Sequence, residues 1–363
     1  MTIPQIEPSF NENETAALLT YLSNGNPWLT EFKKTRELEQ VIADFVGAKH
    51  CFLVPNCTLA LYAVWTCLDL KPGDEVIIPA FTMVATAEAV RMTGATPVLV
   101  DVDVDNFCLD LRLIEKAITA RTKAICLVDL NGRSPNMEAA LVLAESHGLT
   151  LIEDAAQAFG SRWRGKHLGT FARAGCFSFS PHKIISTGQG GAIVTDDDEL
   201  ASRIRCFKNF GRASSGGLDH DVFGTNLKFT DLQAVVGLEQ MKKLPARISK
   251  KRAMFALYRE LLAGIEQVKM PEMELKSAAP WYVDILARDR DGLYLHLKAN
   301  GVETRSFYPP IHHTGAYAHL RDQYFPTAET LAQYGLWLPS SVTLSETDIS
   351  HVCEAVRNYY NGG

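Results

Sequence analysis

Two side chains of this sequence could do chemistry together. Asp154 closes the apolar run LTLIED (149–154) and is followed by AAQAFG, while Lys183 follows the β-prone run CFSFS (176–180) and Pro181, inside SFSPHKIISTGQGG (178–191). An acid that ends a strand projects from the carboxyl edge of a sheet, where it either serves a deep site or caps the next helix. A lysine just after a strand is, by itself, ordinarily a solvated charge. As a pair on neighbouring strand ends, the two supply what pyridoxal 5'-phosphate needs. The amine binds the cofactor's aldehyde as a Schiff base, and the carboxylate keeps the pyridine nitrogen protonated so that the ring can accept electrons.

Such a cofactor also needs a cradle for its phosphate. Asn56-Cys57-Thr58 stands between the strand-like CFLVP (51–55) and the helix-like TLALYAVW. Backbone amides at a helix N-terminus, together with the Thr58 hydroxyl, suit an anion, and the same geometry serves an ordinary Asn or Thr cap. Ser178, just ahead of Lys183, offers a second hydroxyl. GxGxxG occurs nowhere, so a dinucleotide site of the common type has no support.

The elements that must position these residues are regular. CFLVP, LTLIED and CFSFS are joined by DEVIIPA (74–80), TPVLVDV (96–102), AICLVDL (124–130) and GAIVTD (191–196), and helically spaced stretches such as NMEAALVLAESHG separate most of them. Apolar strands alternating with helices predict an α/β architecture with a mainly parallel sheet covered on both faces, and ligands at the carboxyl ends of its strands. The pattern changes after the helix-like TDLQAVVGLEQMKKL (230–244). A charged amphipathic stretch, PARISKKRAMFALYRELLAGIE, leads to a β-rich WYVDILA, a helix near DGLYLHLKANG and a last helix around ETDISHVCEAVRNYY. We therefore expect a large domain over 1–245 and a smaller C-terminal α+β domain over 246–363. The Gly- and Ser-rich GRASSGGLDHDV (211–222) predicts a mobile surface loop.

Composition bounds the partners. The 363 residues, 47% hydrophobic, can fill a large core plus a smaller one. A net charge of −6 with no stripe of Lys or Arg argues against nucleic acid. The opening MTIPQIEPSFNENET has neither a basic flank nor an apolar run, and no long apolar segment follows, so the expectation is a soluble cytoplasmic chain that does not enter membranes. The eight cysteines are scattered, without a CxxC pair, and read as small buried hydrophobes of a reducing compartment; neither a disulfide framework nor a metal site is expected.

The ordered motifs NxT (56–58), PAFTMVAT (79–86), GATPVLVDVD (94–103), EDAAQAFG (153–160), SFSPHK (178–183), STGQGGAIVT (186–195) and GTNLKFTDLQA (224–234) resemble the DegT-type nucleotide-sugar aminotransferases. RSFYPPIHHTGAYAHL and LPSSVTL extend the likeness over nearly the whole chain, and the GDP-perosamine synthase-like members are the nearest group. The resemblance implies aminotransferase fold type I, a pyridoxal 5'-phosphate cofactor and a homodimer with shared active sites. It makes Lys183 the Schiff-base lysine, Asp154 the pyridinium partner and Gln157 the partner of the ring hydroxyl. Thr58 and Ser178 would hold the phosphate with Cys57 beside them, Met83 would cover the ring, and Asn226 would reach the neighbouring subunit's phosphate. Trp28, Lys228 and His312 would border the sugar nucleotide. For His312 a plain loop histidine is the alternative.

Some positions depart from the family pattern. Cys57 stands where glycine is common, Met83 where an aromatic ring often stacks, Leu227-Lys228 in place of a frequent Tyr-Arg pair, and Asp129 and Asn136 where His and Asp are usual. These changes bear on the sugar rather than on the cofactor. The implied reaction is a ping-pong transfer of an amino group from L-glutamate to a nucleotide-linked keto-6-deoxy sugar, at ring position 4 by likeness, with Lys183 moving the proton. The alternatives are a 3-aminotransferase, a dehydratase of the same family that carries histidine in the lysine slot, and a non-catalytic cofactor-binding regulator. His182 is adjacent to that slot, and counting back from TGQGG assigns the slot to Lys183.

Overall fold

The computed structural model describes residues 2–25, 27–213 and 219–362. Residues 214–218, the centre of the expected mobile loop, lie outside the described residues.

Apolar segments of five to seven residues pair into a seven-stranded sheet in the order β1-β9-β8-β5-β4-β2-β3. Its strands are β1 (His50–Val54), β2 (Glu75–Pro79), β3 (Thr96–Val100), β4 (Thr122–Val128), β5 (Thr150–Asp154), β8 (Ala174–Ser178) and β9 (Gly191–Thr195). They fall on the runs expected from sequence, and the neighbours β3, β2, β4, β5 and β8 pair in parallel. A short hairpin, β6 (Arg162–Trp163) with β7 (Lys166–His167), lies between β5 and β8.

The one reversal is functional in its consequences. β9 runs antiparallel to both β8 and β1, because residues 179–190 return directly, without the helical crossover that a parallel neighbour requires. That return leaves Lys183 and the start of β9 at the same edge as the carboxyl end of β8. Gly191 opens β9 where a Cβ would stand 2.5 Å from the Asn56 carbonyl carbon and 2.7 Å from the Cys57 nitrogen. Only glycine lets the chain after β1 come this close to β9.

Helices cover both faces: α1 (Glu12–Ser23), α2 (Lys33–Val46), α3 (Cys57–Cys67), α4 (Ala85–Arg91), α5 (Leu111–Ala117), α6 (Met137–Ser146) and α7 (Asp198–Lys208). Two apolar layers result, one around α3, α4 and α7, the other around α2, α6 and the start of the next helix. Burying each large aliphatic or aromatic side chain in them contributes about 1.5–3 kcal/mol.

The smaller lobe is a four-stranded antiparallel sheet, in the order β10 (Val268–Lys269), β11 (Val283–Ala287), β13 (Gly335–Leu338) and β12 (Arg305–Ser306). It packs with α9 (Arg290–Ala299), α11 (Glu346–Asn361) and the far half of α8 around a third apolar cluster, and α10 (Pro326–Tyr334) precedes β13. Helix α8 (Asp231–Leu261) runs through both lobes, with Pro245, where the charge pattern changes, inside it. Proline removes one ladder hydrogen bond there. Flanking side chains hold the helix in register: Leu244 is fully buried, and Arg247 and Lys251 are anchored to distant carbonyls. Near the other end of the chain, Ile3 pairs with Val302 of the smaller lobe.

Candidate active site

A cavity of about 830 Å³ opens at the carboxyl edge of the large sheet. Asp154 forms its floor. The residue ends β5, is 6% exposed, and is followed by turns, so it caps no helix. Its Oδ2 accepts a 2.7 Å hydrogen bond from the fully buried Thr86 hydroxyl, and its Oδ1 accepts the Ala156 amide at 3.2 Å. Burial pushes the carboxyl pKa up, and the Thr86 hydroxyl, the Ala156 amide and the Lys183 charge pull it back. Asp129, just past the end of the neighbouring strand β4, is fully buried with both oxygens unpartnered. Burial and the neighbouring Glu153 and Asp154 carboxylates raise its pKa well above the usual range.

Lys183 faces Asp154 across the cavity from the β8–β9 return. Its Nζ lies 3.4 Å from the centroid of the Trp281 ring. Desolvation lowers its pKa to about 8; Cys57 and Asp154 act upward and Arg305 acts downward. A lysine poised this way is charged or neutral near physiological pH, as proton transfer requires. His182 also borders the cavity, but its carbonyl is tied to the Trp281 indole N–H at 2.6 Å.

The opposite wall is the N-terminus of α3. Asn56 is its N-cap, accepting the Leu59 amide at 2.9 Å, so capping and anion binding coexist: the cap takes Leu59, and the amides of Cys57 and Thr58 have no acceptor within the helix. Cys57, Thr58 and Ser178 line this end of the cavity, and burial pushes the Cys57 thiol pKa well up. Gln157 lines it as well. Its Oε1 already accepts the Asn131 amide at 3.0 Å, which leaves its amide hydrogens for a ligand. Met83 lines the open side, 46% exposed.

An anion site at a helix N-terminus, a buried carboxylate opposite, and an amine of lowered pKa between them fit pyridoxal 5'-phosphate by donor chemistry. Sequence reasoning missed Thr86, which supports Asp154 from behind, and the cavity residues Gln189, Trp281, Tyr282, Arg305 and Tyr308. Most come from the smaller lobe, where no motif of catalytic type marks them; Trp281 and Tyr282 sit in WYVDILA, which reads only as a strand.

Four residues expected near the ligand lie elsewhere in this chain. Trp28 is 62% exposed, with its ring 5.5 Å from that of Phe32. Asn226 is exposed and accepts the Lys228 amide, while the Lys228 ammonium sits over Phe210. His312 is neither a surface-loop residue nor a cavity residue. It is fully buried, its Nε2 lies 3.2 Å from Glu329 Oε1, and it packs edge-on against Phe325. A second groove of about 830 Å³ between α1, α2 and α8 is lined by apolar residues including Val41, Phe45, Val235, Leu238 and Met241, together with the ion-paired Lys34–Glu37 and Lys242–Glu239. All eight cysteines are free thiols, and all but Cys206 are buried. Among the described residues, no helix is long and apolar enough to cross a membrane.

Residues 8–357 match the DegT/DnrJ/EryC1/StrS aminotransferase family. The GDP-perosamine synthase of Escherichia coli O157:H7 is 35% identical over 99% of both chains. The dTDP-3-amino-3,4,6-trideoxy-alpha-D-glucose transaminase of Streptomyces venezuelae is 38% identical over 89% of this chain and 87% of that one. Among solved structures, S. venezuelae DesV in complex with a ketimine intermediate superposes with a TM-score of 0.90 at 36% identity, covering 96% of this chain and 94% of that one. The chain therefore belongs to the DegT/DnrJ/EryC1/StrS aminotransferase family and is an enzyme, a sugar aminotransferase of the pyridoxal phosphate-dependent kind.

Proposed function

We propose that the enzyme moves an amino group from L-glutamate to the keto carbon of a nucleotide diphosphate-linked 6-deoxy sugar, a GDP-linked 4-keto sugar before others, and works as a homodimer. The observation that carries this reading is the buried Asp154 facing Lys183 across one cavity, in a chain whose relatives named GDP-perosamine synthase match over 91–99% of their length.

The amides of Cys57 and Thr58, with the Thr58 and Ser178 hydroxyls, would hold the cofactor's phosphate. Asp154, kept in place by Thr86, would hold a proton on the ring nitrogen. Gln157 would donate to the ring's oxygen, and Met83 would cover the open face. When bound, pyridoxal 5'-phosphate supplies the aldehyde that takes the amine and the ring that accepts electrons. Lys183 would take the proton from the donor's α-carbon and deliver it to the cofactor carbon that receives the amino group, and would carry a proton the opposite way when the keto sugar is aminated. The cavity walls formed by Trp281 and Tyr308 keep water from the reacting carbon.

Support for a dimer lies on one surface. Phe229 N donates to Glu31 and Asp231 Oδ1 accepts the Phe32 amide, so the segment bearing Asn226 and Lys228 adjoins the one bearing Trp28 and Leu29. Trp28 and Leu29 are exposed there, and Val222 and Phe223 are exposed close by in sequence. Exposed apolar groups on one face mark an interaction surface, and Asn226 on that face would reach the partner's phosphate.

Identities of 37% and 38% to relatives named as 3-aminotransferases favour a second reading, amination at ring position 3. A mass-spectrometric screen of keto sugar nucleotides with L-glutamate separates the two. The expected result is amine gain on a GDP-linked 4-keto-6-deoxy sugar. Amine gain on a 3-keto sugar alone supports the second reading, and turnover of free oxo acids alone overturns the sugar assignment.

A further inference from the structure

Asn131 is the middle residue of the buried turn Leu130–Gly132 that follows β4, and its φ of 53° and ψ of 33° lie in the left-handed region. Few side chains adopt that conformation, and asparagine is one of them. Gly132, at φ 81°, continues the turn, and a Cβ there would stand 2.7 Å from both the Ala279 carbonyl oxygen and the Ser161 hydroxyl. The turn is thus pressed against residues 279–282, which lead into β11.

The hydrogen bonds of Asn131 join the two lobes. Its side chain serves the smaller one: Oδ1 accepts the Tyr282 amide at 2.6 Å, and Nδ2 donates to the Tyr282 carbonyl at 2.8 Å. Its backbone N–H serves the larger one, donating to Gln157 Oε1 at 3.0 Å.

That last bond decides a polarity. Gln157 is 6% exposed and lines the cavity. A side-chain amide is an acceptor at one end and a donor at the other. A backbone N–H meets only the oxygen end, so the bond from Asn131 leaves the NH2 end for a ligand. Without it Gln157 is free to turn over and set its oxygen against an oxygen of the ligand, two acceptors face to face. The segment that holds Asn131 also carries Trp281, whose ring centre lies 3.4 Å from Lys183 Nζ. One stretch of the smaller lobe therefore bears on two groups of the cavity, the amine and the amide.

Resting on the function proposed above, we propose that Asn131 is a positioning residue that acts through Gln157. Its backbone amide fixes the sense in which Gln157 faces the cofactor's ring oxygen, and its side chain ties that setting to the Trp281–Tyr282 segment.

The test is a double-mutant cycle on the full chain, run without sugar nucleotide. It is read by the dissociation constant of pyridoxal 5'-phosphate and by the pH midpoint of the bound cofactor's visible band. Asn131→Gly tolerates the left-handed backbone and deletes both bonds to Tyr282. Gln157→Ala removes the amide through which Asn131 acts. Gln157→Ala is expected to weaken cofactor binding about 2- to 10-fold. It should also raise the band's midpoint by about 1 unit, because a donor beside the ring oxygen favours its anionic form. Asn131→Gly should move both readings the same way when Gln157 is present, with the far-ultraviolet circular dichroism unchanged. Once Gln157 is alanine, adding Asn131→Gly should change binding by no more than about twofold. Should Asn131→Gly alter the circular dichroism, Asn131→Asp, which keeps the shape and loses only the donor to the Tyr282 carbonyl, takes its place in the cycle with the same expectation.

Equal losses in the two backgrounds would mean an effect that bypasses Gln157, and they overturn the proposal. Unchanged readings in the Asn131 variant, or wild-type binding in Gln157→Ala, overturn it as well. A protein that shows the predicted coupling yet aminates no keto sugar nucleotide keeps this role for Asn131 and loses the proposed function. One that aminates the sugar with additive losses does the reverse.

Discussion

The Lys183 ammonium group lies 3.4 Å above the centre of the Trp281 ring. The ring is fixed from two sides: its indole N–H donates to the His182 carbonyl at 2.6 Å, and the Trp281 carbonyl accepts from the buried Lys251 ammonium at 2.7 Å. Residues from α8, the smaller lobe and the β8–β9 return thus converge to hold one amine. An indole face favours the charged form of a lysine by about 0.5–2 kcal/mol. Trp281→Leu removes that attraction while keeping an apolar wall, so the Lys183 pKa should fall by roughly 0.5–1 unit. The pH midpoint for reaction of the apoprotein's lysine with added pyridoxal 5'-phosphate reads this shift. A midpoint that rises or stays in place would show that the ring does not stabilise the ammonium.

The same measurement on the unaltered apoprotein gives an absolute value. Lys183 is held at about 8, against 10.5 for a free lysine, chiefly by desolvation. The neutral amine attacks the aldehyde, so the rate should climb through pH 8 and level off above it. The sign for stability follows from the same shift. The unfolded chain binds more protons at this residue between pH 8 and 10.5, so the contribution of Lys183 to stability increases across that window. Titration near 10.5 would mean that the amine is as solvated as a surface lysine.

Asp154 depends on Thr86, whose hydroxyl donates to Oδ2 at 2.7 Å. Thr86→Val keeps the shape and deletes the donor, and losing a hydrogen bond to a buried carboxylate costs about 1.5–3 kcal/mol. Activity should fall about 10- to 100-fold, with weaker retention of the cofactor. Asp154→Asn should lose more, at least about 100-fold, because the charge proposed to face the ring nitrogen disappears altogether. Equal activity in Thr86→Val and wild type, measured by transamination at saturating cofactor, would remove Thr86 from the site.

Gly191 sets the distance between β9 and the N-terminus of α3. An added Cβ would stand 2.5 Å from the Asn56 carbonyl carbon, so Gly191→Ala must push the Cys57 and Thr58 amides outward. The expected outcome is a weaker dissociation constant for pyridoxal 5'-phosphate with the far-ultraviolet circular dichroism unchanged. Wild-type affinity in this variant would place the phosphate elsewhere.

The large sheet was legible because its strands are continuous apolar runs, one ending at Asp154 and another just ahead of Lys183; the antiparallel return of β9 was not. The long helix was less legible: Pro245 reads as a break, and only tertiary anchoring of Leu244, Arg247 and Lys251 keeps α8 continuous. Thr86 lies in the quoted PAFTMVAT motif, but nothing local tells that its hydroxyl meets an acid from another strand. Trp281, Tyr282 and Arg305 were illegible for the same reason, since the smaller lobe's side chains acquire their roles only where the lobes meet. His312 misled in the opposite direction, a loop-like histidine in sequence that is buried against Glu329 and Phe325 in the fold.

The central claim is that the Lys183 amine carries the cofactor. Borohydride reduction of the pyridoxal 5'-phosphate-loaded protein, followed by peptide mass mapping, tests it directly. The account predicts a phosphopyridoxyl mass on Lys183 within SFSPHKIISTGQGG. A label on another lysine such as Lys251, or a loaded protein that takes no label, would contradict it.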